Sequence, residues 1–322
     1  MIRVAAIDVG TNSTRLLVAE EQAGGFRSID RRMTITRLGQ GVHSRKILAP
    51  EALERTLRTI ADYAAACGEY GVTRLRVTGT SAVRDAHNRE EFFEGVRKLT
   101  GTEAELLTGE AEARATFLGT LSDLDETGPV LVVDIGGGST ELISGVGEPE
   151  SIVSLDVGCV RMLEKHLHSD PPTPSELDAL RDEVTDLLEG AKGMLDVPAG
   201  ARMIGVAGTV TQLATLKAGI PVYDPDVNHH SVLSHGDVRR LARRLASLPY
   251  EQRQRVKGLE AGRVDVIVAG AAILQCVMEV FDVAEVLVSE KDILDGLVLE
   301  LLAETELEAW IDVTQEGSTG SD

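Results

Sequence analysis

From Val4 to Ile7 every position is apolar; the chain then passes through Asp8, Gly10, Thr11, Asn12 and Ser13 into a second run, Arg15 to Ala19. Short runs of this kind, closed by turn residues, predict buried strands. A third strand is expected within Phe26–Ile35, and LGQG at 38–41 breaks the pattern. Pro50 suits a first helical turn. It opens a helix whose apolar positions Ala52, Leu53, Leu57, Ile60, Tyr63 and Ala64 follow the helical period. Strand RLRVTG, a short helical TSAVRDA, helix EEFFEGVRKL, strand AELL and helix GEAEARATFLGTL complete the first part.

At Val130 the opening pattern restarts. Strand VLVVD, a glycine turn, strand TELISGV, turn GEPE and strand SIVSLDV repeat the N-terminal order, a weak internal duplication. Helix RMLEKHL, the break DPPTP, a long helix over 175–195, strand RMIGVAG and helix TVTQLATL follow. The chain closes with helix 237–248, a buried helix over 264–281, strand EVLVS and helix ILDGLVLELLAE. The small, polar stretch 314–322 is expected to fray. The pattern predicts an α/β protein of two lobes, 1–120 and 121–302. The C-terminal segment 303–322 is expected to pack back on the first lobe.

Each lobe opens with a strand that ends on an aspartate and hands over to glycine, VAAIDVGTNS and VLVVDIGGGS. Glycines let the backbone turn tightly and leave no Cβ in the way, so successive N–H groups can converge on an anion. The expected phosphate cradle is therefore Gly10, Thr11, Asn12 and Ser13 on one side. On the other side it is Gly136, Gly137, Gly138 and Ser139, with the hydroxyls of Ser13 and Ser139 as further donors. A carboxylate repels phosphate unless a cation or a water lies between them, and Mg²⁺ suits both carboxylate and phosphate oxygens. Asp8 and Asp134 are the matching candidates for that cation. One acidic glycine turn would also fit an ordinary hairpin. Two, each opening half of the chain, are a stronger signal.

Composition narrows the class. The chain has 322 residues, 43% hydrophobic and 26% charged, as a globular protein does. Its net charge of −20 argues against general nucleic-acid or anionic-membrane binding. Cys67, Cys159 and Cys276 stand apart with no CxxC pair, so reduced thiols and a cytoplasmic location are expected. The N-terminus shows no export signal, and the longest apolar segment is too short to span a bilayer. Helix 237–246 sets Arg239 over Arg243 and Arg240 over Arg244. This is either a basic row that guides a polyanion or a solvated face. His229, His230 and His235 have no Cys or carboxylate at ligand spacing and read as loop histidines.

The paired turns resemble those of the acetate and sugar kinase, Hsp70 and actin superfamily. That likeness implies two ribonuclease-H-like lobes gripping phosphates in the cleft between them. Within it, AIDVGTNSTRLLV, TGTSAVRDAHN, TGEAEARATFLG, VVDIGGGSTEL, DVGCVRMLEKHL, AGRVDVIVAGAAIL and VSEKDILDGLVLE resemble the exopolyphosphatase and guanosine pentaphosphatase family, in order and over nearly the whole chain. The likeness is strongest to its short actinobacterial exopolyphosphatase type, and the extra C-terminal helical domain of longer members is not expected.

The resemblance implies a Mg²⁺-dependent hydrolase, with Mn²⁺ as the alternative ion, that removes terminal phosphates from inorganic polyphosphate or from guanosine pentaphosphate. It makes Glu112 the base that orients or deprotonates the water, and it assigns Asp134 and Glu141 to the metal or to that water. Arg84 matches an arginine at the cleft. Gly208 and Thr209 match a Gly-Gly-Thr type turn that meets a nucleoside in the wider superfamily, although alanine or valine stands where a glycine is common, which weakens any claim for nucleotide binding. Arg263 matches an arginine facing the site; a cap pair with Asp265 is its structural alternative. A homodimer is expected from the family, while a kinase and a non-catalytic alarmone sensor remain competing readings.

Overall fold

The computed structural model describes residues 2–124 and 127–318, of which 306–318 by backbone path alone. The first sheet contains β1 (Arg3–Val9), β2 (Ser13–Gln22), β3 (Gly25–Ile35), β4 (Arg74–Gly79) and β5 (Ala104–Leu106), in the order β3-β2-β1-β4-β5. The second contains β6 (Val130–Ile135), β7 (Thr140–Val146), β8 (Glu148–Leu155), β9 (Arg202–Val206), β10 (Val232–Ser234) and β11 (Glu285–Val288), in the order β10-β11-β9-β6-β7-β8. In each sheet the opening strand pairs antiparallel with the next and parallel with the strand on its other side. The duplication expected from sequence is therefore real: two ribonuclease-H-like lobes, the second carrying one extra edge strand. That strand, β10, spans three residues and carries too short a pattern to be read.

Burial explains the pattern. Ala5, Ile7 and Val9 of β1 face helices Pro50–Glu69 and Arg89–Thr100, while Val4 and Ala6 face the opposite layer. A central strand covered on both faces needs apolar side chains at successive positions, hence VAAI and VLVV.

Helix Gly109–Leu121 connects the lobes and packs between the two sheets. Its Ala115 joins Val4 and Ala6 of the first, and its Ala113 and Phe117 join Val130, Val132 and Ile204 of the second. A helix buried on two sides shows no single apolar stripe, which is why GEAEARATFLGTL carries little helical periodicity. Helix Ile293–Ser318 returns across it to the first lobe. Leu294, Leu297, Val298 and Leu301 lie against β1 and β2 of the first sheet. Residues 293–302 thus sit on the far side of the 302/303 division drawn from sequence, because their apolar face is what closes the first sheet. The side chains of 306–322 lie outside the described residues.

The crossing of these two helices is tight. A methyl group at Gly296 would sit 1.8 Å from the Ala115 carbonyl oxygen, and one at Gly119 would sit 1.9 Å from that of Asp292. Backbone cannot yield as a side-chain tip does. Gly296→Ala is expected to cost about 3 kcal/mol, read as a lower urea midpoint at unchanged slope.

Helix His235–Ala246 buries Val238, Leu241, Ala242 and Leu245 and exposes Arg239, Arg240, Arg243 and Arg244. Arg240 pairs with Asp237 of its own helix. None of the four lines the cleft, so the structure places them on a solvated outer face. Among the described residues no helix is long and apolar enough to cross a membrane.

Candidate active site

The two acidic glycine turns have the same geometry. Gly10 N–H donates to the Ser13 carbonyl at 2.9 Å, and Gly136 N–H donates to that of Ser139 at 3.0 Å. A Cβ at either glycine would press on that same carbonyl at 3.2 Å.

The turn carbonyls are occupied from behind. Thr36 and Arg37 N–H take Asn12 O, and Gly39 N–H takes Thr11 O. In the second lobe, Cys159 N–H takes Gly136 O, Val160 and Arg161 N–H take Gly137 O, and the Arg161 side chain takes Gly138 O at 2.6 Å. Consuming the carbonyls turns the remaining N–H groups outward. Among the described residues those of Thr11, Asn12, Gly137 and Gly138 find no acceptor. Asn12 Nδ2 is buried and likewise without a partner. Donors left unpaired in two facing turns are what an anion nest requires.

The turns also touch. A methyl at Gly137 would come within 2.8 Å of Thr11 Cβ, and one at Gly138 would come 2.4 Å from Ser81 Oγ. They share one cavity of about 530 Å³. Asp8, Gly10, Thr11, Asn12, Ser13, Glu112, Asp134, Gly136, Gly137, Gly138, Ser139, Gly208, Thr209 and Arg263 all line it.

Two expected site residues do not line this cavity. Glu141 is buried in the wall, paired with Asp134 across the β6–β7 ladder, and accepts from Ser154 Oγ at 2.8 Å. Arg84, carried by the short helix Ser81–Asp85, donates through Nη1 to the Leu107 carbonyl at 2.8 Å and to Glu112 Oε2 at 3.3 Å. It meets the carboxylate rather than the cradle.

The lobes differ in one pairing. Across the first ladder Asp8 faces Arg15, which binds it at 2.7 Å; across the second Asp134 faces Glu141. Arg15 also pairs with Asp292, so the first-lobe aspartate shares a directly bound cation while the second-lobe one feels Arg15 only from a distance. Burial lifts the Asp8, Glu112, Asp134 and Glu141 carboxyls above their usual range. Glu141 adds to the rise at Glu112 and Asp134, and Arg15 works against it at Asp8. Glu112 and Glu141 feel Arg84 and Asp134 feels Arg15, which Asp8 and Asp292 already hold, so the acids of this site outnumber its cations.

Arg263 binds Glu260 through Nε at 2.7 Å and lies directly over Gly208, where a methyl would sit 1.9 Å from Nη1. Asp265, the alternative partner read from sequence, pairs with Arg37 of the other lobe at 2.8 Å. Ala207 opens the Gly208–Thr209 turn at φ 64°, a left-handed conformation that costs an L-residue about 1 kcal/mol. Ala207→Gly is expected to return about that much stability, seen as a higher Tm with the cleft unchanged.

The histidine cluster meets a carboxylate that spacing could not reveal. Asp123 lies 2.8 Å from His229 Nε2 and 3.7 Å from His230 Nε2. Glu290 N–H donates to His229 Nδ1 at 3.1 Å, so the ring proton resides on Nε2 and is donated to Asp123. A metal ligand would need that nitrogen bare and a hydrogen on the other. The cluster is a hydrogen-bonded clasp between the linker and the second lobe. His235 lies apart, facing Glu279. The three cysteines are buried free thiols.

Arg15, Ser81 and Arg161 escaped the sequence reading. Arg15 carried one usable signal, a charged residue placed directly before the apolar run Leu16–Ala19.

Two lobes carrying paired anion nests over buried carboxylates fit a phosphoanhydride hydrolase. The chain belongs to the Ppx/GppA phosphatase family, whose profile matches residues 17–305. It is 39% identical over 315 residues to exopolyphosphatase 2 of Mycobacterium tuberculosis, covering 94% of this chain and 99% of that protein. It is 27% identical to guanosine-5'-triphosphate,3'-diphosphate pyrophosphatase of Photobacterium profundum, covering 93% of this chain and 59% of that one. The crystal structure of an exopolyphosphatase-like protein superposes with a TM-score of 0.90 at 34% identity, covering 93% of this chain and 97% of that one. That of the Aquifex aeolicus Ppx/GppA family member superposes at 0.80, with 34% identity over 94% and 98% of the two chains.

Proposed function

We propose that the chain is an exopolyphosphatase that hydrolyses the terminal phosphoanhydride of inorganic polyphosphate and releases orthophosphate. The observation that carries this reading is the pair of N–H nests facing each other across one cavity with Glu112 in its wall. Oxygens of the terminal phosphate accept from the Thr11, Asn12, Gly137 and Gly138 N–H groups and from Asn12 Nδ2. A water held by Glu112 attacks the terminal phosphorus. The phosphorus–oxygen bond to the chain breaks, and its electron pair stays on the new chain end. The water's proton passes to Glu112, whose raised affinity for a proton suits that task. Arg84 holds this carboxylate in place from behind.

The donor set fits Mg²⁺: hard, buried oxygens on Asp134 and Asp8, which line the cleft, and on Glu141 in the wall behind, with Asp8 also held by Arg15. Bound there, the ion would supply positive charge to the phosphate oxygens. This site chemistry serves a guanosine pentaphosphate equally. The cavity runs past the turns to Met33, Tyr223 and Pro225, an end able to take a planar base.

Initial rates of orthophosphate release from polyphosphates of graded length and from guanosine pentaphosphate, with and without Mg²⁺, test the reading. Faster release from polyphosphate is expected. A higher rate on guanosine pentaphosphate selects the second substrate, and no release from either ends the proposal.

A further inference from the structure

A second depression, of about 470 Å³, opens on the first lobe and is lined by Lys46, Arg84, Asp85, Ala86, His87 and Arg89. Two separate segments supply its cations, and backbone bonds fix them together. His87 N–H donates to the Lys46 carbonyl at 2.8 Å. Asn88 accepts from Leu48 N–H at 2.8 Å and donates to Leu48 O at 3.1 Å. The single carboxylate, Asp85, is already taken by Arg161 at 2.8 Å. Lys46 stands 3.6 Å from it, and among the described residues Arg89 pairs with Glu90 alone, at 3.9 Å. In a chain of net charge −20, this is a local excess of positive charge.

Arg84 connects the two cavities without lining both: it lines the depression and touches Glu112, which lines the cleft. Both of its hydrogen bonds use Nη1, and among the described residues Nε and Nη2 have no acceptor. The reaction geometry gives this arrangement a use. Attacking and leaving oxygens lie roughly in line at phosphorus. With the water beside Glu112, the remaining chain must lie on the opposite side, filling the cleft away from Glu112. The freed orthophosphate is then enclosed between that chain and the Arg84–Glu112 wall, with the basic depression immediately behind.

We infer that the depression is a phosphate-binding exit: Arg84 passes product orthophosphate from the cleft to Lys46, His87 and Arg89 while the shortened chain keeps its place in front. The inference rests on the hydrolase reading above for its direction of travel. Its affinity for inorganic phosphate can be measured without turnover.

The test uses the full chain and the double variant Lys46→Gln/Arg89→Gln, which leaves every cleft residue intact. Calorimetric titration with inorganic phosphate is expected to show roughly tenfold weaker binding in the variant, the size of two exposed charge contacts. In rapid mixing with polyphosphate, acid-quenched total phosphate should form at the wild-type rate. Free phosphate, seen by a fluorescent phosphate-binding sensor, should lag behind it roughly tenfold longer. A raised KM for long chains with no added lag would make the depression a chain-binding surface and overturn the inference. Unchanged titration and unchanged lag would overturn it as well. If wild type cleaves neither substrate yet loses phosphate affinity on substitution, the hydrolase reading fails while the phosphate site stands.

Discussion

Glu112→Gln is expected to lower kcat about a thousandfold while moving KM for polyphosphate by less than about twofold. Glutamine keeps the shape and can still face Arg84, but it cannot take a proton from water. The nests proposed to hold the terminal phosphate are built from residues 10–13 and 136–139, whose backbone bonds do not involve Glu112. The same substitution should stabilise the protein above neutral pH. Burial and the neighbouring Glu141 and Asp8 carboxylates raise the Glu112 carboxyl above its ordinary 4.5. A raised acid contributes stability that is complete below its unfolded value and is lost as pH climbs through its folded one. Glutamine has no such loss, so the variant's Tm advantage should grow with pH. A variant with wild-type kcat would place the base elsewhere. One that loses activity with a lowered Tm would show damage to the fold rather than to the chemistry.

What the sequence could reveal was local. The turns at Asp8 and Asp134 were legible because their chemistry is complete within a few residues: a buried strand, a carboxylate, then backbone without side chains. The repeat of strand, turn, strand, turn, strand was legible because the same pattern occurs twice. Long-range pairings were beyond reach. Arg15 finds Asp292 from 277 positions away, and Asp123 finds His229 from 106. No periodicity encodes such encounters. Helix Gly109–Leu121 shows the physical reason most plainly. Its polar face was visible as GEAEAR, but that Glu112 points into the cleft follows from burial of Ala113, Ala115 and Phe117 between two sheets. The arginines of helix His235–Ala246 show the converse. Their spacing was read correctly, yet the row faces solvent because the other face of that helix closes the second lobe's core.

The second large effect concerns the cation. Asp134 and Glu141 are pushed up to about 8 and about 7, mainly by burial, with Glu141 adding to the rise at Asp134. From ordinary values of 3.8 and 4.5, both shifts are upward. Without metal, the stability these groups contribute is therefore full near pH 4 and is lost as pH rises through 7 to 8. A divalent ion must compete with those protons, because it binds the ionised form. Mg²⁺ at a hundredfold excess over its Kd contributes about 2.7 kcal/mol, on the order of 5 °C in Tm. That shift is expected in full at pH 8.5 and to fall below about 1 °C at pH 5. Thermal melts at both pH values, in EDTA and in Mg²⁺, measure it. Asp134→Asn combined with Glu141→Gln should abolish both the metal response and the metal-free loss of stability at high pH. An equal Mg²⁺ shift at pH 5 and pH 8.5 would mean that the ion binds groups already ionised at pH 5. The buried pair on β6 and β7 would then have to act on water and phosphate through their own charge.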